Sequence, residues 1–514
     1  MMTNPAAAMR MLITYAICIP LAIFIGYLLT NPLDYGTLGF IAFVTAALLS
    51  PIFIKWHYPI MVFGLSFPAY FFFLKGNPPC WQVVVMISLG IAIVERTLSS
   101  KNHFLKAPAM TWALMFTAAM AVITMQLTGG FGLHALGGNT GGGQKYISLF
   151  LGIAIFFALA SRGIPPEQRK LYIGLFFLSG AFGFISDMFP FLPAPFNYIN
   201  LIFPPSSNVL SDEGSFGSGF IMRFGALAVA AVTVIWFLLA RYSLRGVLSA
   251  AHPFRALLFC GLFVLSLLGG YRSIMINTFL ILGILFVMEG LYRTRWLPVI
   301  LIFILGVGCL VVPFAKNLPY TFQRALSVLP FVEVDSGAQA SAEGSSEWRL
   351  RIWQAVWPKV PDYLLLGKGY ALTALDYESM GRDNPFAASA QVDASMESLA
   401  ISNDFHSGPL STIICFGVWG GISILAIILA AVYITYRNYK YGDPELRIVN
   451  TLLLAGILHH TIFFLFIYGA FDSDVGYFAK FAGFSVALNW GVRGPKARVP
   501  FVQRIKPLSQ PLAA

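Results

Sequence analysis

The sequence predicts an all-α polytopic membrane protein with about 14 transmembrane helices, in the range of roughly 12–14, and one large extracytoplasmic helical loop. Three observations carry that prediction. The 514 residues are 58% hydrophobic, 15% aromatic and only 11% charged, against about 25% charged in soluble domains. The mean hydropathy is +0.75. Apolar runs close to the roughly 20 residues that cross a bilayer recur from end to end, separated by polar or Pro/Gly breaks.

Taken in order, the runs fall at 10–30, 37–54, 59–74, 80–95, 108–127, 146–161, 171–187, 217–240, 256–270, 273–291 and 296–314. Three more follow at 409–436, 449–468 and 475–491. The third and fourth are short enough to form one re-entrant pair. The chain is therefore read as spans one to eleven over 1–314, a cap loop over 315–408, three more spans over 409–491 and a basic tail over 492–514. The first run is read as a retained span, because no small-residue cleavage site follows it.

The net charge of +11 sorts by side. With a cytoplasmic N-terminus, the inner connections collect 21 of the 33 basic residues and five of the 22 acids, leaving 12 basic and 17 acidic residues outside. That is the positive-inside pattern. Both termini are expected in the cytoplasm, the tail (Arg493, Lys496, Arg498, Arg504, Lys506) on anionic headgroups, and nucleic acid is excluded as a partner. Cys18, Cys80, Cys260, Cys309 and Cys415 form no CxxC and read as small core side chains.

The loop 315–408 is too long to be a mere connection. Gln339–Ser346 reads as flexible, and EWRLRIWQAVW and PDYLLLGKGYALTA as helices packed on the membrane face. Two other outer loops are the glycine-rich 129–143, a flap without the lysine of a phosphate loop, and the Pro-rich 188–216.

Ionisable residues near membrane depth are costly and default to functional candidates. On the outer side these are Arg223, two turns into the eighth span, Arg272 where the ninth span meets the tenth, Arg349 and Arg351 in the cap, and His406 before the twelfth. Several guanidiniums with one imidazole suit a site that grips a lipid-linked diphosphate and deprotonates a hydroxyl. The bland alternatives are snorkelling for Arg223, an interfacial turn for Arg272 and a hydrogen-bonded interfacial histidine for His406. On a helix, Arg349 and Arg351 point roughly 200° apart, so only one faces a given ligand. His459–His460 reads as packing with hydrogen bonds, Asp472 and Asp474 as a weak candidate for a divalent cation, and Lys480 as a partner for one of those acids.

The order of parts resembles the bacterial O-antigen ligase and O-antigen polymerase superfamily. The resemblance lies in GGYRS (269–273), RLRIWQAVW (349–357), PDYLLLGKGYALT (361–373) and HSGPLSTIICFGVWGGI (406–422), within a region of roughly 210–435. It implies an integral-membrane glycosyltransferase of GT-C type that moves a glycan from undecaprenyl diphosphate to an acceptor hydroxyl on the periplasmic face of the bacterial inner membrane. No cofactor and no metal are implied. Arg272 and Arg349 would bind the diphosphate, with Arg223 and Arg351 as further candidates, and His406 would be the base. Ser407 stands where the family usually has Asn, and Cys415-Phe416 where it has an acid, which favours polymerase over ligase. A lipid-linked polysaccharide flippase is the main competing reading, and an envelope scaffold the third.

Overall fold

The computed structural model describes residues 5–28, 30, 35–74, 76–98, 103–129, 142–188, 191–205, 223–294, 296–329, 331–371 and 405–495. Among them every regular element is helical, apart from one antiparallel bridge between Tyr70 and Pro79. Helices α1 (Pro5–Leu28), α2 (Tyr35–Gly64), α3 (Cys80–Leu98), α4 (Pro108–Thr128) and α5 (Gly143–Ala160) are followed by α6 (Arg169–Leu178). A tighter turn at Ser179–Gly183 and a last turn at Phe184–Asp187 extend α6. Then come α7 (Gly225–Val247), α8 (Pro253–Ser266), α9 (Arg272–Met288) and α10 (Trp296–Val311). The cap contributes α11 (Tyr320–Leu326) and α12 (Ser336–Val356), and the chain returns as α13 (Gly408–Tyr441), α14 (Arg447–Phe466) and α15 (Phe471–Asn489).

The all-α polytopic architecture stands, with helix over all or part of every apolar run. Seven helices among the described residues are long and apolar enough to cross a membrane, or eight if Gly39–Ile52 and Ile54–Gly64, bent by 105°, form one broken span. The third run departs most from its reading. Its helix ends at Gly64, and the chain reverses through the Tyr70–Pro79 bridge, with Cys80 N donating to Ala69 O at 2.7 Å.

Close packing is obtained with small residues, because two helices in lipid gain little from apolarity alone. A Cβ on Gly152 would lie 3.2 Å from Gly476 Cα, and one on Gly483 3.0 Å from Leu159, so α5 and α15 approach to backbone contact. The basic connections meet at one end of the bundle. Arg169 Nη1 reaches Asp443 Oδ2 at 2.8 Å, Arg162 reaches Glu95 at 3.2 Å, and Arg437 Nε donates to Arg493 O at 2.8 Å. Asn438, Asn450, Asn489 and Ser485 form a buried network across α13, α14 and α15 at the same end.

Among the described residues two further helices break, and each of these breaks is satisfied inside the protein, as a membrane interior requires. Ser243 (φ 61°) interrupts α7, and the freed amides of Leu244 and Arg245 each donate to a carboxylate oxygen of Glu289 at 2.8 Å. Gly417 (φ 60°) interrupts α13. There Val418 N donates to Leu364 O at 2.7 Å, while the amides of Lys368 and Gly369 donate to the carbonyls of Ile414 and Cys415 at 2.8 and 2.9 Å. The GKG stretch of the cap thus plugs the gap in α13.

The reading of Gln339–Ser346 as flexible is corrected: the stretch is helical within α12. Asp335 caps the helix by accepting from Gly337 N at 2.8 Å, and Ala338 and Ala342 are buried. Alanines favour helix, and the cap residue supplies an acceptor for an orphan amide. The segment PDYLLLGKGY forms only one helical turn, Val360–Tyr363, before the glycine plug.

Candidate functional site at the mouth of an intramembrane cavity

Arg223 lies at the entrance of α7 rather than two turns inside a span, because the helix starts at Gly225 and Phe224 N instead donates to Leu268 O at 3.3 Å. Its side chain is buried, Nε donates to Gly269 O at 3.4 Å, and the guanidinium lies 5.0 Å from the Tyr271 ring centre. The neighbouring glycines make this possible. Gly270 takes a left-handed φ of 64°, and a Cβ on Gly225 or Gly269 would lie 2.7 or 2.9 Å from Tyr271 atoms.

Arg272 opens α9 and reaches into the cap, with Nη2 donating to Ala342 O at 2.6 Å and to Ser346 Oγ at 2.8 Å. It also feels the charges of Arg349 and Glu343 on α12. Arg351 stands apart, exposed and 3.6 Å from Glu347 one turn earlier. The helical geometry of α12 therefore turns Arg349 toward Arg272 and Arg351 toward solvent.

His406 is held by a second, small core. Ile352 and Val356 of α12 pack with Phe405, Leu410 and Ile414, all buried, and Trp353 Nε1 donates to Phe405 O at 2.9 Å. The anchors on α12 for Arg272 (Ser346) and for the His406 segment (Trp353) are seven residues apart, about 10 Å along the axis. His406 itself has φ 49°, a left-handed conformation that neighbours must impose. Gly408 and Gly469 bring the start of α13 against the end of α14, where a Cβ on Gly469 would lie 2.9 Å from Gly408 Cα. That contact sets the Tyr468 ring 5.1 Å from the His406 ring.

The two tyrosines wall one cavity of about 900 Å³. Tyr271 with Arg223 and Arg272 beside it forms one part of the lining, and Tyr468 backed by His406 another. Further in, the cavity meets Asn277, Trp236, His459, His460 and Lys480. Arg223 and Arg272 thus stand beside Tyr271, and His406 beside Tyr468, next to the cavity lining rather than in it. The sequence reading missed Tyr271, Tyr468 and Trp353; the tyrosine inside GGYRS was the one signal available.

Other candidates resolve individually. His460 Nε2 lies 2.7 Å from Asp474 Oδ1, and Asp474 Oδ2 accepts from Ala470 N at 2.7 Å, closing the first turn of α15. Asp474 is therefore occupied by a helix end and an imidazole. No group of three or more metal-ligating side chains occurs among the described residues. The expected pairing of Lys480 with an acid of that loop is corrected: Nζ donates to Ser66 Oγ at 3.3 Å. The flap reading falls on 129–143, of which 130–141 lie outside the described residues, as do 189–190 and 206–216 of the Pro-rich loop.

With this geometry in place, a comparison with known families bears on the readings. The family described as O-antigen ligase matches residues 256–425. That stretch supports the resemblance to the O-antigen ligase and polymerase superfamily. The matched region contains Arg272, Arg349, Arg351 and His406, and leaves Arg223, His459, His460 and Lys480 outside. No curated protein matches the sequence. Together with the apolar helices, the family indicates a glycosyltransferase-like enzyme of the bacterial inner membrane that handles lipid-linked glycan and acceptor substrates. It gives the flippase reading no support.

Proposed function

We propose that the protein is a GT-C-type glycosyltransferase that moves a glycan from an undecaprenyl-diphosphate carrier to an acceptor sugar hydroxyl at the periplasmic face, as a polysaccharide polymerase or ligase. The observation that carries this reading is that two tyrosines lining one cavity, Tyr271 and Tyr468, rest against the Arg223 guanidinium and the His406 ring, with Arg272 next to Tyr271 and tied to the cap. Arg223, Arg272 and Arg349 hold the diphosphate, whose negative charge grows as the bond to the anomeric carbon breaks. Fixed guanidiniums in a partly dry site stabilise that charge without reorganising. His406 takes the proton of the acceptor hydroxyl as its oxygen bonds to the anomeric carbon, and the diphosphate leaves with the electron pair. One displacement without a carboxylate nucleophile inverts the anomeric centre. No metal and no cofactor are assigned a role. The basic end of the bundle then faces the cytoplasm, with both termini, and the cap covers the periplasmic mouth.

The test is turnover by purified protein in lipid with an undecaprenyl-diphosphate-linked glycan, for wild type, His406→Ala and Arg272→Ala, with and without chelator. Release of undecaprenyl diphosphate by wild type alone, indifferent to chelator, is the expected result. Movement of the lipid-linked glycan across the bilayer without turnover would overturn the reading in favour of a flippase.

A further inference from the structure

The cavity runs deeper than the proposed chemistry requires. Lys480, nine residues into α15 and so about 13 Å along its axis, lies on the inner wall. A cation at that depth is costly unless it is paired. Its hydrogen-bond partner is the neutral Ser66 hydroxyl, the rings of Phe176, Tyr477 and Phe481 lie 5.7–5.9 Å away, and no carboxylate pairs with it among the described residues. An independent observation points to an absent occupant. Asn277 Oδ1 is buried and makes no hydrogen bond among the described residues, and the ring of His459, only 3% exposed, meets the Asn277 backbone beside it. Both residues line the same cavity. Buried polar atoms are normally satisfied, so Asn277 Oδ1 points to a ligand that brings a donor.

We propose that the inner part of the cavity is a sugar pocket in which Lys480 pairs with an acidic substituent, a carboxylate, on the residue lodged there. This rests on the glycan-transfer reading and narrows its substrate to glycans carrying an acidic sugar. A volume of about 900 Å³ accommodates one or two pyranose rings. The side chains of Trp236 and Tyr477 add apolar wall, while His459 and Asn277 meet the sugar's hydroxyls. One lysine balances one carboxylate. A diphosphate carries more charge than it can match and fits the arginines at the mouth.

The test is equilibrium binding of methyl β-D-glucuronide and methyl β-D-glucoside to the full chain in lipid nanodiscs, with inorganic phosphate as a third probe. The expected result is at least tenfold tighter binding of the glucuronide, with Lys480→Gln reducing it to the level of the glucoside. On wild-type protein, glucuronide should protect the Lys480 amine from acylation and glucoside should not, a readout that needs no variant to fold. Equal binding of the two glycosides, a ratio unchanged in Lys480→Gln, or protection by phosphate alone overturns the proposal. Turnover without this selectivity sinks only the pocket, whereas selectivity without turnover sinks the transferase reading.

Discussion

At the level of single residues, the site separates groups that act from groups that position. His406→Ala should lower turnover by about 10²- to 10⁴-fold, the range for a general base, while donor binding stays near wild type. Trp353→Phe removes one hydrogen bond, worth about 0.5–1.5 kcal/mol, to the carbonyl preceding His406. A positioning role predicts a lower kcat with KM and the pH profile unchanged; an altered pH profile would place the indole in the chemistry instead. The arginines divide in the same way. Arg349→Ala should weaken donor binding measurably, whereas Arg351→Ala, which loses only an exposed pair with Glu347, should stay within about twofold in kcat/KM, since such pairs contribute little. Equal losses in both variants would mean that α12 turns when substrate binds.

At the level of elements, the cap is held to the bundle by backbone hydrogen bonds at a helix break, and glycines set the geometry. Gly367 has φ 73°, and a Cβ there would run into the Cys415 carbonyl. Gly417 has φ 60°, and its Cβ would lie 2.7 Å from Leu364 O. Gly417→Ala adds both a left-handed strain of about 1–3 kcal/mol and a collision, so it should lower the melting temperature in detergent and reduce turnover by loosening the His406 segment. Gly421→Ala, with open space around its Cβ, should be close to neutral. If the two variants melt alike, the plugged break does not hold the cap. At the opposite end, hydrogen bonding from Arg169 holds the Asp443 carboxyl below the usual carboxylate range. A depressed folded-state value contributes stability above the unfolded pKa and loses it as pH falls through the folded one. Asp443→Asn should therefore melt below wild type at neutral pH, and the gap should close on acidification through that lowered value. A gap independent of pH would assign the effect to packing.

At the scale of the molecule, the sequence was most legible where one physical rule dominated. Bilayer thickness made the apolar runs visible, and the cost of buried charge singled out Arg223, Arg272 and His406 before their surroundings were known. Legibility failed where the answer depended on contacts between distant segments. The start of α7 at Gly225 is set by backbone pairing with Leu268, and the helicity of 339–346 by burial of Ala338 and Ala342. The partner of Lys480 is Ser66, on an irregular segment over 400 residues away, which no local pattern encodes. The end-to-end charge asymmetry belongs to the same scale and yields a prediction about orientation. The connections around Arg162, Arg169, Arg437 and Arg493 meet at one end, whereas Arg272 and the His406 segment are both tied to α12, and Arg223 lies against Tyr271 next to Arg272. If the positive-inside rule governs insertion, a cysteine at Glu347, which is exposed on the cap, should react with an impermeant maleimide in intact cells, in a background lacking the five native cysteines. A cysteine at Lys170 should react only after permeabilisation. The reverse pattern would put the guanidiniums and His406 on the cytoplasmic side, where no exported carrier-linked glycan reaches them, and the transfer reading would fall with the topology.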